Sequence, residues 1–218
     1  MTQAGVLEKA GVQVLGGPEE AMPSSADPER ELYHLAREVM ATARAQVARD
    51  FAQAFPEEAG DATPSVSTGV PEITLPRIEG NMPPECETLC DAFLRNHAQL
   101  GWAPEASWEL GAVHGIGAWL SLASSAGPIV LEDRLLALTV LNPRAYYPLH
   151  RHTPEEIYIT IAGGFWLHHP GRDAVWVGPG DTVFNGSNQP HALTGGEAST
   201  LMIACWRDGS FEPSVILE

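Results

Sequence analysis

From Tyr146 to Tyr158 the chain runs Tyr-Tyr-Pro-Leu-His-Arg-His-Thr-Pro-Glu-Glu-Ile-Tyr, and a later histidine, His191, follows Asn-Gln-Pro. In an extended strand, side chains two apart share a face, so His150 and His152 point the same way. Thr153-Pro154 reads as a turn that lets the chain re-enter. Beyond it Glu156, Tyr158 and Thr160 share one face, while Ile157, Ile159 and Ile161 share the other. With the polar face in solvent this would be an ordinary half-buried strand. Lining a barrel, Glu156 would be a buried charge in need of a partner, and a metal ion is one such partner. Two imidazoles, a carboxylate and a further imidazole suit borderline divalent ions such as zinc, iron, manganese, nickel or cobalt. Such a set leaves coordination positions open to water or a substrate oxygen.

These residues need elements to hold them. Residues 1–26 are small, polar and interrupted by Gly17, Pro18 and Pro23, and read as a loose lead-in. Asp27-Pro28-Glu29 is a helix start: a capping oxygen, a proline in the first turn and an acid near the positive end. Leu32, Leu35, Val39, Ala43, Val47, Phe51 and Phe55 then recur at helical spacing, which predicts one long amphipathic helix ending before Pro56. Residues 56–84 read as an extended Pro- and Gly-rich loop, and Pro84 to about Leu100 as a second helix. After Gly101 the period switches to two, with short apolar runs at about 108–114, 117–122, 129–131, 134–141, 156–162, 165–168, 174–177, 182–184, 191–194 and 199–206. The expected organisation is a helical extension over 27–105 followed by a β-barrel metal-binding domain over 106–218. The outward isoleucines of 157–161 then require cover from the helices or from a second subunit, so a homodimer is possible.

Charge narrows the partners. Twelve basic residues against 28 acidic ones give a net charge of -16, which opposes nucleic acid and anionic membranes. No apolar run reaches the ~18 residues of a membrane span. The N-terminus lacks the basic start and apolar core of a signal peptide. Cys86, Cys90 and Cys205 are too few and odd in number for a disulfide framework, so a reducing, cytoplasmic setting is expected. His34, His97 and His114 have no motif around them, His168 and His169 read as surface tips, and Arg151 alternates away from the two neighbouring histidines.

The spacing of His150, His152, Glu156 and Gly163 resembles the first motif of the cupin superfamily. Gly180 to His191 keeps the spacing of the second, with Gly186 and Asn188 where that motif has Pro and Gly. Arg144 and Gly195 also depart from usual residues, at turns and not at ligands. The resemblance implies a mainly β fold, a double-stranded β-helix (jelly-roll) barrel. It also implies one divalent transition metal per chain on His150, His152, Glu156 and His191.

Tyr147, Tyr158 and Trp206 narrow the resemblance to the cupin-type dimethylsulfoniopropionate lyases, and the chain length and helical extension look most like their longer DddL branch. That resemblance implies a carbon–sulfur lyase acting on a zwitterionic sulfonium and releasing dimethyl sulfide and acrylate. Its chemistry is α-proton abstraction and β-elimination, with Tyr158 as general base. A phenol has a reference pKa of about 10, and lowering it by about three units corresponds to about 4 kcal/mol, within reach of a nearby divalent ion. Tyr147 and Trp206 match family pocket positions and suit a sulfonium cation through their aromatic faces. Trp166 and Phe184 are pocket candidates by proximity alone. The alternatives are another metal-dependent cupin enzyme, a dioxygenase or isomerase, and a non-enzymatic ligand-binding cupin.

Overall fold

The computed structural model describes residues 27–58, 82–102, 116–212 and 214–217. The expected strand at 108–114, His114, residues 1–26 and most of the 56–84 loop lie outside these. Helix α1 spans Pro28–Thr42, and its cap is the one expected: the Asp27 carboxylate accepts from the Arg30 backbone N–H, with Glu29 and Glu31 in the first turn.

The single long helix expected up to Pro56 is two helices. Ala43 and Ala45 leave helical geometry, with ψ of 147° and 127°, and α2 starts afresh at Gln46–Gln53. No Gly or Pro marks this break. The Arg49 guanidinium instead reaches back to the carbonyls of Ala43 and Arg44, meeting acceptors that a helix end leaves open. Helix α3, Pro84–Asn96, runs into a 3-10 turn at His97–Gln99. Among the described residues, no helix is long and apolar enough to cross a membrane.

Eleven strands follow among the described residues: β1 Gly117–Ser124, β2 Ile129–Val130, β3 Leu135–Leu141, β4 Tyr146–Arg151, β5 Glu155–Ala162, β6 Phe165–His168, β7 Val175–Val177, β8 Thr182–Asn185, β9 His191–Gly195, β10 Thr200–Arg207 and β11 Val215–Ile216. They form two sheets, β2-β1-β3-β10-β5-β8 and β11-β4-β9-β6-β7. The larger sheet separates two apolar layers by simple alternation. Ile157, Ile159, Ile161, Leu201, Ile203, Cys205, Leu136, Leu138 and Val140 face outward and pack with Leu32, Met40, Phe51, Leu89 and Phe93 of the helices. Tyr158, Met202, Ala204, Trp206, Leu135 and Ala137 face inward and pack with Phe165, Leu193 and Val183. The chain's own helices therefore supply the cover the isoleucines require. At about 1.5–3 kcal/mol for each fully buried large apolar side chain, that layer is a main contributor to stability.

Three positive-φ turns carry motif positions, and two of them depart from cupin usage. Gly163, which does match, sits at φ 75° between β5 and β6, and a Cβ there would lie 2.3 Å from the Ser199 carbonyl oxygen. Arg144 and Asn188, which stand where glycine is usual, both adopt φ 57°. Residues other than glycine here hold the left-handed conformation that glycine adopts freely. Asn tolerates it readily; Arg144 is held there by a backbone N–H bond to the Gly196 carbonyl.

Candidate metal centre

The larger sheet contributes Glu156 from β5, the smaller contributes His150 from β4 and His191 from β9, and His152 comes from the turn between β4 and β5. His150 and His191 are direct cross-strand partners. All four side chains are buried. One ring nitrogen from each of His150, His152 and His191 lies within 4.8 Å of the others, and Glu156 Oε2 lies 3.2 Å from His152 Nε2 and 3.1 Å from His191 Nε2.

The backbone determines the tautomers. Nδ1 of His150 lies 2.7 Å from the Pro148 carbonyl, that of His152 2.9 Å from the Pro154 carbonyl, and that of His191 2.9 Å from the Gln189 carbonyl. A carbonyl only accepts, so each Nδ1 carries a proton and each ring turns its Nε2 inward, the nitrogen left to offer a cation its lone pair. Three imidazole lone pairs and a carboxylate oxygen thus converge in a site shut off from water. That is a set of acceptors facing acceptors, which a cation relieves.

At His150 a proton is a poor candidate for that cation. Burial, and then the neighbouring His191, push the His150 pKa down to about 3. Burial alone would raise the Glu156 pKa, but positive charge and hydrogen bonding on its imidazole side, from His152 first and then His191, outweigh it and hold the carboxyl ionised, which is the role a bound cation would take. The donor set fits a borderline divalent metal ion.

Two further donors grip the carboxylate. Trp206 Nε1 donates to Glu156 Oε1 at 2.6 Å, and Asn185 Nδ2 donates to Oε2 at 3.0 Å. The Trp206 indole also lies over His152, ring centroids 4.5 Å apart, while Tyr147 stacks on His150 at 4.3 Å. Tyr158 is buried on the inner face of β5, its ring 6.1 Å from that of His191. Trp119, Tyr147, Glu156, Tyr158, Met202 and Trp206 line a cavity of about 20 Å³, room for about one water molecule. A wider groove of about 660 Å³ lies on the other side of β5, against Ile159, Cys86 and Pro179. It touches none of the four converging side chains, whereas the smaller cavity is walled by Glu156 together with Tyr147, Tyr158 and Trp206, so the chemistry belongs to the smaller cavity.

Trp166 and Phe184 are turned away from it. In β6 the inward residues are Phe165 and Leu167; Trp166 is 43% exposed and packs edge-on against Trp176. In β8 the inward residues are Val183 and Asn185; Phe184 is 41% exposed and meets Phe51 of α2. Each candidate is one residue out of register, and a shift of one places a side chain on the opposite face. Trp119, Met202 and Asn185 are among the inward residues that the motif spacing did not single out. His168 pairs with the Thr194 hydroxyl and His169 with the Pro190 carbonyl, and neither joins the cluster. Arg151 is exposed, and Arg144 pairs with Glu197 on the surface. Cys86, Cys90 and Cys205 are buried, and burial raises the pKa of Cys86 to about 12 and holds that of Cys205 well above the usual thiol range, so neither of these two is a ready nucleophile.

A family model described as dimethylsulfoniopropionate lyase matches residues 87–202, a stretch that contains Tyr147, His150, His152, Glu156, Tyr158, Asn185 and His191. A dimethylsulfoniopropionate lyase DddQ of Ruegeria pomeroyi is 36% identical over 97 residues, 44% of this chain, and the match spans 47% of that relative's length. The crystal structure of DMSP lyase DddQ from Ruegeria pomeroyi superposes with a TM-score of 0.68 at 24% identity, covering 88% of this chain and 98% of that one. A chain from the crystal structures of the DMSP lyases RdDddP and RnDddQII gives 0.70 at 23% identity, with the same coverage. These superpositions show the fold. The curated relative is of the DddQ type, where chain length and the helical extension pointed to the DddL branch.

Proposed function

The chain belongs to the dimethylsulfoniopropionate lyase family, and from that membership we propose that it cleaves dimethylsulfoniopropionate to dimethyl sulfide and acrylate, with Tyr158 as the base. The observation that carries the reading is the convergence of three Nε2 lone pairs and an ionised carboxylate in a closed lumen beside a buried phenol.

His150, His152, Glu156 and His191 would hold one divalent transition metal, and zinc, iron, manganese, nickel and cobalt all suit the donors. When bound, such an ion supplies Lewis acidity toward a substrate carboxylate and electrostatic support for an ionised phenol. Tyr158 takes the proton from the carbon next to the carboxylate. The electron pair released there forms the new double bond as the β-carbon–sulfur bond breaks, and sulfur leaves as neutral dimethyl sulfide with that bond's pair. The proton ends on the Tyr158 oxygen and returns to solvent before the next turnover.

Tyr147, Trp119 and Trp206 offer aromatic faces to the sulfonium, at about 0.5–2 kcal/mol for a good contact. The present cavity admits about one water, so these walls part when substrate enters. Cysteines that are few, odd in number and buried fit a reducing compartment such as the cytoplasm. The test is release of dimethyl sulfide into the headspace by purified protein, with and without a chelator. Release that stops on chelation and returns with added metal supports the proposal; absence of product from metal-loaded protein overturns it.

A further inference from the structure

Asn185 faces Glu156 directly across β5 and β8 and is wholly buried. Its Nδ2 donates to Glu156 Oε2, the oxygen that lies nearest His152 and His191. Turning the amide over would set its oxygen against the carboxylate, so this orientation is the only favourable one. With Nδ2 committed, Oδ1 has no hydrogen-bond partner among the described residues. A buried amide left half satisfied loses hydration that it does not recover. An apolar residue of similar shape would serve the fold better, so stability does not explain the asparagine.

Its chemistry does. Rotation of the Glu156 carboxylate about its last torsion is broad and soft, and two donors, Asn185 on Oε2 and Trp206 on Oε1, remove that freedom. A lysine or arginine in the same place would orient the carboxylate too, but would neutralise the charge a metal ion needs. A neutral amide orients it and leaves the charge intact.

We infer that Asn185 is a positioning residue for the metal, fixing the Glu156 carboxylate so that Oε2 is presented to the space between His152 and His191. This rests on the metal reading given above. It extends the functional residues to β8, which supplies none of the first four.

The experiment is titration of Co²⁺ into the purified full-length chain stripped of metal, followed by competition with a chelator and by the visible absorption bands of the bound ion. Asn185→Leu keeps the shape and removes the donor. Its Co²⁺ dissociation constant should rise 10- to 100-fold, as for other outer-shell partners of metal ligands, with altered visible bands. The Tm of the stripped variant should equal or exceed that of the stripped wild type. A merely structural role would reverse this pattern, lowering Tm and leaving the bands and affinity alone. Co²⁺ affinity within about twofold of wild type and unchanged bands overturn the inference. Should Asn185→Leu fail to fold, Asn185→Ala, which cannot clash, decides by the same two readings. Wild type that binds no Co²⁺ overturns the metal reading itself, whereas wild-type-like binding by the variant overturns the role of Asn185 alone.

Discussion

Trp206 and Glu156 face each other across β10 and β5, and the indole N–H donates to the carboxylate at 2.6 Å. The same indole lies over His152. One side chain therefore both walls the cavity and anchors a metal-type ligand. Trp206→Phe keeps an aromatic wall and loses the charge-assisted hydrogen bond, a contact worth about 1.5–3 kcal/mol. Metal affinity and turnover should both fall by about tenfold or more, measured by chelator competition and dimethyl sulfide release. A variant with wild-type metal affinity would reduce Trp206 to a wall alone.

Tyr158→Phe removes one oxygen from a buried ring and should leave the packing around Phe165 and Val183 undisturbed. Turnover should drop by about 10²–10⁴-fold, the usual contribution of a positioned acid or base. Metal content by elemental analysis should stay at the wild-type level. Retained activity would move the base to another residue.

Stripped of metal, the protein should lose stability in mild acid. The folded His150 has its pKa lowered to about 3, chiefly by burial, against about 6.5 in an unfolded chain. Between these values the unfolded chain binds a proton that the folded one refuses, so His150 favours folding fully above about 6.5 and loses that contribution as pH falls toward 3. The slope from this one group is at most about 1.4 kcal/mol per pH unit. Melting of chelator-treated protein from pH 7 to 5 should show the decline, and His150→Phe should flatten it. A wild-type Tm constant across that range contradicts the assignment.

The register of β6 also makes a prediction. Trp166→Ala should leave dimethyl sulfide release within about twofold of wild type, because the side chain faces outward with Trp176. Trp119→Ala, on the cavity wall, should raise KM several-fold through the lost aromatic face. Steady-state kinetics of the two variants separate the faces. A large KM effect from Trp166→Ala would place that ring in the cavity.

Strand existence was legible in the sequence because alternation and turn residues mark it locally, as at 134–141 and 199–206. The quartet His150, His152, Glu156 and His191 was legible because the first three fall within one strand–turn–strand unit and the fourth within a second motif of fixed spacing. Which face of a strand points inward is another matter. In β6 and β8 both faces carry large apolar residues: Phe165 beside Trp166, and Val183 beside Phe184. The outer face of β8 meets Phe51 of a helix more than 100 positions away, so alternation alone gave no sign of which side was the lumen. Asn185 was hidden for the same reason, its partner Glu156 lying across a pairing that no local pattern announces. The break at Ala43–Ala45 escaped because alanine is a strong helix former. Tertiary packing of α1 on α2 and Arg49 binding of the freed carbonyls overrode that preference.

The donors are drawn from both sheets, which bears on how the chain acquires its ion. His150, His152 and Glu156 come early in the barrel, but the fourth donor sits on β9, and the two anchors of the carboxylate sit on β8 and β10. Until synthesis reaches His191, at most three of the four groups are present, with no closed lumen around them. Tight capture is thus deferred until the two halves of the barrel have come together, and loading becomes a late checkpoint on assembly. An ion seated there rivets one sheet to the other, so its loss would loosen the seam before it disturbed either sheet.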